Sequence, residues 1–216
     1  MLKIQKFVFN PFAENTYLAW CDNKKEAAVV DPGCFNKNEE SVIRDFIKNN
    51  NLSLKYLLNT HCHIDHILGN NFIKKTFSPE YYVPEKDVIL LEHFQKQCEA
   101  VGIEAVKPPI PEKFISEDLE LKIGDIAIKF LFTPGHTPGE YCFFFENEKK
   151  CFTGDVLFKG SIGRTDLWGG NYETLMDSIK TKLMSLDDEV VIYPGHGEDS
   201  KIGIERRSNP FLQPVC

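Results

Sequence analysis

One short stretch, residues 59–66, constrains this chain more than any other part of its sequence. It brings His61, His63, Asp65 and His66 together within a few positions, in a chain of 216 residues that contains only six histidines. Imidazole and carboxylate groups without a thiolate suit zinc, iron or manganese. The alternative explanation is a polar turn that closes a strand, because any short motif also arises by chance.

The backbone around this stretch explains the spacing of its first two histidines. Residues 55–58 form a compact apolar run, which predicts a short buried strand that ends just before the motif. Side chains two positions apart on extended backbone point in the same direction, so His61 and His63 can converge on one ion while Cys62 points away. The pair therefore predicts part of a metal site at the end of a strand.

The second half of the motif predicts the start of a helix. Asp65 stands at the N-cap position, ahead of apolar residues that share one helical face. Such a start places Asp65 and His66 beside the first pair and facing a second metal position. One turn would then supply about half of the ligands for two metal ions.

The remaining ligands must come from later in the chain. His136, Asp155 and His196 each follow an apolar run and a turn of small residues. Each alone is explained as a turn residue, but three repeats of one pattern favour a site at the carboxyl ends of strands. Asp31, after a further predicted strand, is either a turn former or a carboxylate that orients a metal-bound imidazole. The sixth histidine, His93, lies in a predicted helix and is expected at the surface.

Apolar periodicity and turn chemistry predict the other elements. Strands are predicted over residues 4–9, 16–20, 26–30, 55–58, 79–83, 119–123, 126–131, 141–145, 151–153 and 190–193, and helices over residues 38–49, 65–75, 85–100 and 172–184. Residues 107–111 are proline-rich and are expected to form an extended loop, which either connects the halves of the chain or covers the site. Residues 204–211 are expected to form a tail.

The chain resembles the metallo-β-lactamase-fold hydrolases, and within them the glyoxalase II (hydroxyacylglutathione hydrolase)-like branch. The motif at residues 59–66, the turns at residues 15–17 and 31–33, and the later segments up to His196 carry this resemblance, which covers almost the whole chain. It implies an α+β fold, a four-layer αββα sandwich in which two mixed β-sheets are flanked by helices. It also implies a single domain over residues 1–216.

The resemblance further implies how the seven candidate ligands divide between two divalent metal ions. It assigns His61, His63 and His136 to one ion, Asp65, His66 and His196 to the other, and Asp155 to a bridge between them. Zinc is the expected metal, and the same ligands also serve iron or manganese. Asp65 is in addition the candidate catalytic residue. A lactamase proper usually has cysteine at the position of Asp155, which argues against antibiotic hydrolysis.

The predicted pair of metal ions fits hydrolytic chemistry. Divalent ions lower the pKa of bound water to about 7 and so supply hydroxide without a dedicated base. Attack of this hydroxide on an acyl carbonyl suits a thioester, because a thiolate is a good leaving group. The predicted function is therefore hydrolysis of S-acyl thioesters such as S-lactoylglutathione, with a small-molecule thioester as the partner.

Two other classes of protein fit the same motifs. Persulfide dioxygenases resemble this chain but use one iron on the equivalents of His61, His136 and Asp155, a 2-His-1-carboxylate site with open positions for oxygen. The third class is a non-catalytic binding protein on the same fold, and the intact set of seven ligands argues against it. Metal analysis after anaerobic purification distinguishes these classes as two zinc-like ions, one iron or none.

A glycine-rich loop, residues 158–170, follows the predicted bridging aspartate and is expected to pass the site. Arg164 can bind a substrate carboxylate in a fork and Lys159 can bind it as a point charge, so both are candidate substrate-binding residues. The alternative for Arg164 is an internal pair with Asp166 that stiffens the loop. Trp168 departs from the resembled branch, which tends to carry proline there, and so could change the pocket.

The short segment after His196 bears on substrate preference. Twenty residues follow it, too few for the C-terminal helical domain whose basic residues help to bind glutathione in glyoxalase II proper. The glutathione carboxylates would then lose most of their charge-assisted partners, each worth about 1.5–3 kcal/mol. We therefore expect little preference for S-lactoylglutathione over a thioester that lacks these carboxylates.

Composition limits the partners and the compartment. The net charge is −7 and the pI is about 5.4, and basic pairs are scattered, which argues against nucleic acid or an anionic membrane surface as partner. The seven cysteines include no C-x-x-C pair and are typical of reduced thiols in a cytosolic protein. No apolar run reaches membrane-spanning length and the N-terminus lacks a signal-peptide core. A cytoplasmic location is therefore expected.

Overall fold

Six strands from the first half of the chain form one mixed β-sheet in the computed structural model, which describes residues 1–213. They are Leu2–Phe9 (β1), Glu14–Cys21 (β2), Glu26–Val30 (β3), Ser53–Leu58 (β4), Glu80–Pro84 (β5) and Lys113–Ile115 (β6). Their order in the sheet follows the chain, β1 to β6. The first three strands pair antiparallel, and β3 to β6 pair parallel.

A second mixed sheet is built from the other half of the chain. Its strands are Leu121–Ile123 (β7), Ile126–Phe132 (β8), Tyr141–Phe145 (β9), Lys150–Gly154 (β10), Val191–Pro194 (β13) and Ser200–Lys201 (β14). The order is β14-β13-β10-β9-β8-β7, and only β10 and β13 pair parallel. Leu157–Phe158 (β11) and Ser161–Ile162 (β12) form a small separate hairpin.

Seven α-helices within residues 1–213 accompany the sheets. They are Lys37–Asn49 (α1), Ile64–Ile67 (α2), Asn70–Phe77 (α3), Val88–Glu92 (α4), Phe94–Val101 (α5), Tyr172–Ser178 (α6) and Ile202–Ser208 (α7). Asn36 caps α1, because its side chain accepts hydrogen bonds from the backbone N–H groups of Asn38 and Glu39. No helix within residues 1–213 is both long and apolar enough to cross a lipid bilayer.

In the described part of the chain, three separate clusters of buried apolar side chains show how these elements stack. The first packs α1 and α3 on one face of the first sheet, the second lies between the two sheets, and the third packs α6 and α7 on the second sheet. Leu57 and Leu58 are neighbours in β4 and point into the first and second cluster respectively, so both faces of this strand are buried. The layers are therefore helix, sheet, sheet and helix, which confirms the predicted αββα sandwich.

The structure corrects several predicted boundaries. The helix predicted over residues 65–75 is two helices, because the N–H of Gly69 donates to the carbonyl of Pro32 at 2.7 Å instead of continuing α2. The helix predicted over residues 85–100 is broken at His93 into α4 and α5. The predicted tail contains α7, and the short strands β6, β11, β12 and β14 were not predicted. The hydrophobic pattern is weak in all four strands, because two or three residues are too few to show a periodicity.

Candidate metal centre

The seven predicted ligands meet where the turns after four strands converge. The two halves of the chain are linked there by backbone hydrogen bonds, from the N–H of Asn15 to the carbonyl of Gly195 at 2.7 Å and from the N–H of Tyr141 to the carbonyl of Thr60 at 3.0 Å. The N–H of Gly195 also donates to the carbonyl of Gly154 at 2.7 Å. These bonds hold the motif after β4 against the turns after β8, β10 and β13.

Three histidines form the first group of potential ligands. One ring nitrogen each from His61, His63 and His136 lies within 4.8 Å of the others. Nδ1 of His63 is 2.8 Å from Nε2 of His136. The other ring nitrogen of His136, Nδ1, lies 2.7 Å from the carbonyl oxygen of Arg164. Since that carbonyl can only accept, His136 carries its proton on Nδ1 and leaves Nε2 free for a metal.

A chain of hydrogen bonds sets the tautomer of His61. The hydroxyl of Thr60 donates to the carboxylate of Asp31 at 2.6 Å. It must therefore accept from Nδ1 of His61, which lies 3.0 Å away. Nε2 of His61 then presents its lone pair to the site. Cys62 points away into the first apolar cluster, as predicted from the extended backbone.

The second group contains Asp65, His66 and His196, whose potential ligand atoms also lie within 4.8 Å of one another. Oδ2 of Asp65 is 3.0 Å from Nε2 of His196 and 3.5 Å from Nε2 of His66. The N-cap of α2 is His63 and not Asp65, which stands in the first turn instead. The N-cap prediction was wrong by two residues, but the first turn still directs Asp65 and His66 to a common point.

Asp31 stands behind this second group. Its Oδ2 lies 3.2 Å from Nδ1 of His66, and its Oδ1 accepts from the N–H of Thr60 at 2.7 Å. Its backbone adopts a positive φ of 48°. The structure shows the turn that one explanation requires. It also places the carboxylate beside the ring nitrogen of His66 that does not face the site, and the orienting role stays a prediction.

Asp155 lies between the two groups. Its Oδ1 is 3.5 Å from Nε2 of His66, and its Oδ2 is 3.6 Å from Nε2 of both His136 and His196. One carboxylate thus approaches ligand atoms of both groups, because Oδ2 lies near His136 of the first group and near His196 of the second. This is the position that the predicted bridge requires.

Buried polar atoms without partners test whether metal ions fit here. Within residues 1–213, Nε2 of His61, Nε2 of His66 and Oδ1 of Asp155 are buried and make no hydrogen bond. Each such atom costs about 1–3 kcal/mol, so a group of them is expected only where another ligand completes their coordination. All three belong to residues of the two ligand groups and the aspartate between them, and the residues present therefore fit two divalent cations.

Burial and neighbouring charges set the protonation of the cluster. Burial lowers the pKa of His61 well below its usual range and that of His63 to about 3. Burial also opposes ionisation of Asp155, but the neighbouring histidines, His66 first among them, together outweigh it and lower the pKa of that carboxyl. Around His66 the neighbouring carboxylates, Asp65 first among them, together outweigh burial and raise its pKa. Neutral imidazoles and ionised carboxylates are the forms that bind metal, so His61, His63 and Asp155 are already in those forms, whereas His66 must release a proton when an ion binds.

Two buried carboxyl groups that the sequence reasoning missed support the ligands. Glu140 is fully buried, and its Oε1 accepts from the N–H of Asp155 at 2.7 Å and lies 3.5 Å from Nδ1 of His61. Asp87 accepts from Thr137 and from the N–H of Gly139, both at 2.7 Å. The available signal was an acidic residue directly before an apolar run, ahead of β9 for Glu140 and ahead of α4 for Asp87.

A cavity of about 890 Å³ opens over the cluster and is lined by five of the seven predicted ligands, namely His63, Asp65, His136, Asp155 and His196. Arg164 also lines it, but its guanidinium is paired with the carboxylate of Asp166 at 2.7 and 2.8 Å. Lys159 does not line it and pairs with Glu198 instead. The internal pair is therefore what the structure shows for Arg164, and binding of substrate by either residue stays a prediction.

Replacement of one ligand in the second group is expected to affect that group alone. His196→Ala should lose one of the two ions while the other stays bound, because His196 approaches only the second group and the bridge. The loss of affinity should exceed the 10–100-fold typical of residues that merely support a ligand. Metal content after dialysis against a fixed zinc concentration measures this. His93→Ala, at the one histidine outside the cluster, is the control, and a His196→Ala protein that keeps both ions would contradict the assignment.

Comparison with known proteins agrees with this geometry. A family model described as the metallo-beta-lactamase superfamily matches residues 9–196. The chain is 40% identical to the hydroxyacylglutathione hydrolase GloC of Haemophilus influenzae, over 98% of each chain. The crystal structure of the B3 metallo-beta-lactamase BLEG-1 matches with a TM-score of 0.90 at 31% identity, over 98% of this chain and 100% of the other. That of TTHA1623 in a di-iron-bound form matches with a TM-score of 0.86 at 31% identity, over 96% and 100%.

Proposed function

This chain belongs to the metallo-β-lactamase superfamily, and we propose that it hydrolyses S-acyl thioesters of the S-lactoylglutathione type at a centre of two divalent metal ions. The observation that carries the proposal is the meeting of two ligand groups at Asp155, on the wall of an open cavity. Similarity to a hydroxyacylglutathione hydrolase supports the thioester as substrate. The di-iron relative supports iron beside zinc as a candidate metal.

In this proposal the side chains of the protein hold the metal ions and orient the reacting groups. His61, His63 and His136 would hold one ion, Asp65, His66 and His196 the other, with Asp155 between them. When bound, such ions supply Lewis acidity and activate water for attack on a carbonyl. Attack of water on the carbonyl carbon breaks the C–S bond and yields a carboxylic acid and a thiol.

Asp65 has a role of its own in this proposal. Its carboxyl lines the cavity, and although burial opposes ionisation, His66 and His196 lower its pKa. An ionised carboxylate at this point would accept a hydrogen bond from the attacking water and direct its lone pair toward the substrate. Because a low pKa makes it a weak base, orientation is the contribution we assign to it.

Thiol release from two substrates tests the proposal. Metal-loaded protein should hydrolyse S-lactoylglutathione and also the lactoyl thioester of N-acetylcysteamine, which lacks the glutathione carboxylates. We expect kcat/KM values within about a hundredfold, because Lys159 and Arg164 are already engaged with Glu198 and Asp166. A ratio above this, about 2.7 kcal/mol, would reveal a dedicated carboxylate site. No thiol release from either substrate would refute thioester hydrolysis.

The competing activities are separated by parallel assays on the same preparation. A single iron per chain with oxygen consumption on glutathione persulfide would support the dioxygenase alternative. Similarity to BLEG-1 makes a chromogenic cephalosporin the third substrate to include. We expect its kcat/KM to fall well below that of the thioesters, and the reverse order would replace the proposal with β-lactam hydrolysis.

A further inference from the structure

Part of the wall of the cavity over the metal cluster is apolar. Phe12 contributes from the β1–β2 loop, Leu90 and Val101 from α4 and α5, and Leu167 and Trp168 from the loop after β12. Apolar surface of this kind, continuous with reactive groups, is what ligand pockets use to bind the non-reacting part of a ligand.

Several of these cavity-lining residues are exposed to solvent. Trp168 is 61% exposed, Val101 42% and Leu167 40%. An exposed tryptophan that lines a cavity offers a large rigid face at low cost in conformational entropy. Contiguous exposed apolar residues mark binding surfaces more often than scattered ones do.

The loop that carries Trp168 is fixed to the metal cluster at several points. The carbonyl of Arg164 accepts from Nδ1 of His136 at 2.7 Å, and the N–H of Asn171 donates to the carbonyl of Gly135 at 2.7 Å. Gly169, at a φ of 79°, packs so closely that an added Cβ would lie 2.5 Å from the Pro138 ring. Since both ends of the loop are bound to the turn that carries His136, the backbone at Trp168 is held beside the metal cluster.

Few charged or polar side chains of the cavity wall are free to bind a substrate. Arg164 is paired with Asp166. Gln97, on α5, uses its side chain to hold the carbonyl of Leu90 at 2.9 Å and the N–H of Ile64 at 3.0 Å. Lys96 is the cation of the cavity wall that makes no ion pair within residues 1–213. One uncommitted ammonium beside several apolar walls favours a substrate that is mainly apolar.

We propose that Trp168 is a specificity-determining residue which, together with Leu167 and Val101, binds an apolar group of the substrate. The inference rests on the proposed thioester hydrolysis and narrows it. The preferred substrates are thioesters that carry an aryl or extended alkyl group, on the acyl side or on the thiol side. The small lactoyl group on a charged tripeptide would leave most of this surface unused.

Kinetics on matched pairs of thioesters test the proposal and show whether the apolar group is bound on the acyl side or on the thiol side of the substrate. Phenylacetyl and acetyl thioesters of N-acetylcysteamine vary the acyl group, and acetyl thioesters of benzyl mercaptan and methyl mercaptan vary the thiol. On one of these pairs the wild-type kcat/KM should favour the aromatic member by about 10-fold or more, the range a hydrophobic pocket provides. Trp168→Ala should reduce that preference to within about threefold, mainly through KM.

Two variants control for indirect effects. Trp168→Phe keeps an aromatic face and should restore most of the preference. Tyr172→Ala removes another exposed aromatic residue, 52% exposed at the start of α6 and outside the cavity lining, and should leave the preference unchanged. Equal kcat/KM across both pairs, or a preference that survives in Trp168→Ala, would overturn the inference while leaving thioester hydrolysis standing.

A binding measurement provides a readout that does not depend on catalysis. The chain has two tryptophans, so Trp20→Phe leaves Trp168 as the single fluorophore. Benzyl and methyl thioethers of N-acetylcysteamine resist hydrolysis. The benzyl compound should change the Trp168 emission with saturation, and the methyl compound should not. Saturable benzyl binding without hydrolysis of any thioester would support the apolar site and refute the proposed function, whereas no response to either compound would overturn the apolar site.

Discussion

Asp155→Asn is expected to lose both metal ions and nearly all turnover. The carboxylate approaches ligand atoms of both groups, at 3.5 Å from His66 and 3.6 Å from His136 and His196. Asparagine keeps the shape but removes the charge and one anionic oxygen. We expect ion affinity to fall by more than the 10–100-fold seen for residues that only support a ligand, at both positions together. Metal analysis and calorimetric titration of zinc measure the loss.

The control for this variant is an aspartate away from the site. Asp45→Asn changes an exposed carboxylate on α1, with 56% of its side chain accessible, and should leave ion content and turnover unchanged. Circular dichroism of both proteins checks that the fold is kept. If Asp155→Asn retained both ions and most of its activity, Asp155 would be no more than a turn residue after Gly154.

Gly195→Ala is expected to disrupt the metal centre, although this substitution neither adds a charge nor removes a ligand. A Cβ at this position would lie 2.3 Å from Oδ1 of Asp155 and 2.6 Å from Cε1 of His66. The backbone cannot move aside easily, because the N–H and the carbonyl of Gly195 are both hydrogen-bonded at 2.7 Å, to Gly154 and Asn15. The two side chains must shift instead, and we expect at least about a 10-fold loss of ion affinity, since metal ligation tolerates only about 0.2 Å.

Gly197→Ala is the matched control from the same turn. No atom lies within 4 Å of an added Cβ there, but the backbone φ is 77°. This variant should lose stability by about 1–2 kcal/mol through the left-handed conformation and keep its ion affinity. Thermal unfolding of the metal-free proteins and zinc titration separate the two effects. Equal ion affinities for Gly195→Ala and the wild type would show that the close packing of this turn does not position the ligands.

Much of the site was predictable because local patterns in the amino-acid sequence specify it. The spacing of His61, His63 and Asp65 follows from the two-residue period of extended backbone and from the start of a helix. His136 and His196 follow apolar runs that form buried strands, β8 and β13. The stacked sheets were implied by the resemblance to the metallo-β-lactamase-fold hydrolases, and the three apolar clusters within residues 1–213 confirm that arrangement.

The sequence alone thus determined the candidate ligands and most of the strands that carry them, and its resemblance to a known family implied the fold class. Only the tertiary structure decided which groups support them. Asp87 reaches Thr137 from 50 positions away in the chain, and Glu140 reaches His61 from the start of β9. The guanidinium of Arg164 is turned to Asp166, and His93 lies exposed at the break between α4 and α5 while lining the cavity. Such contacts depend on how the two sheets pack, and no local period encodes that packing.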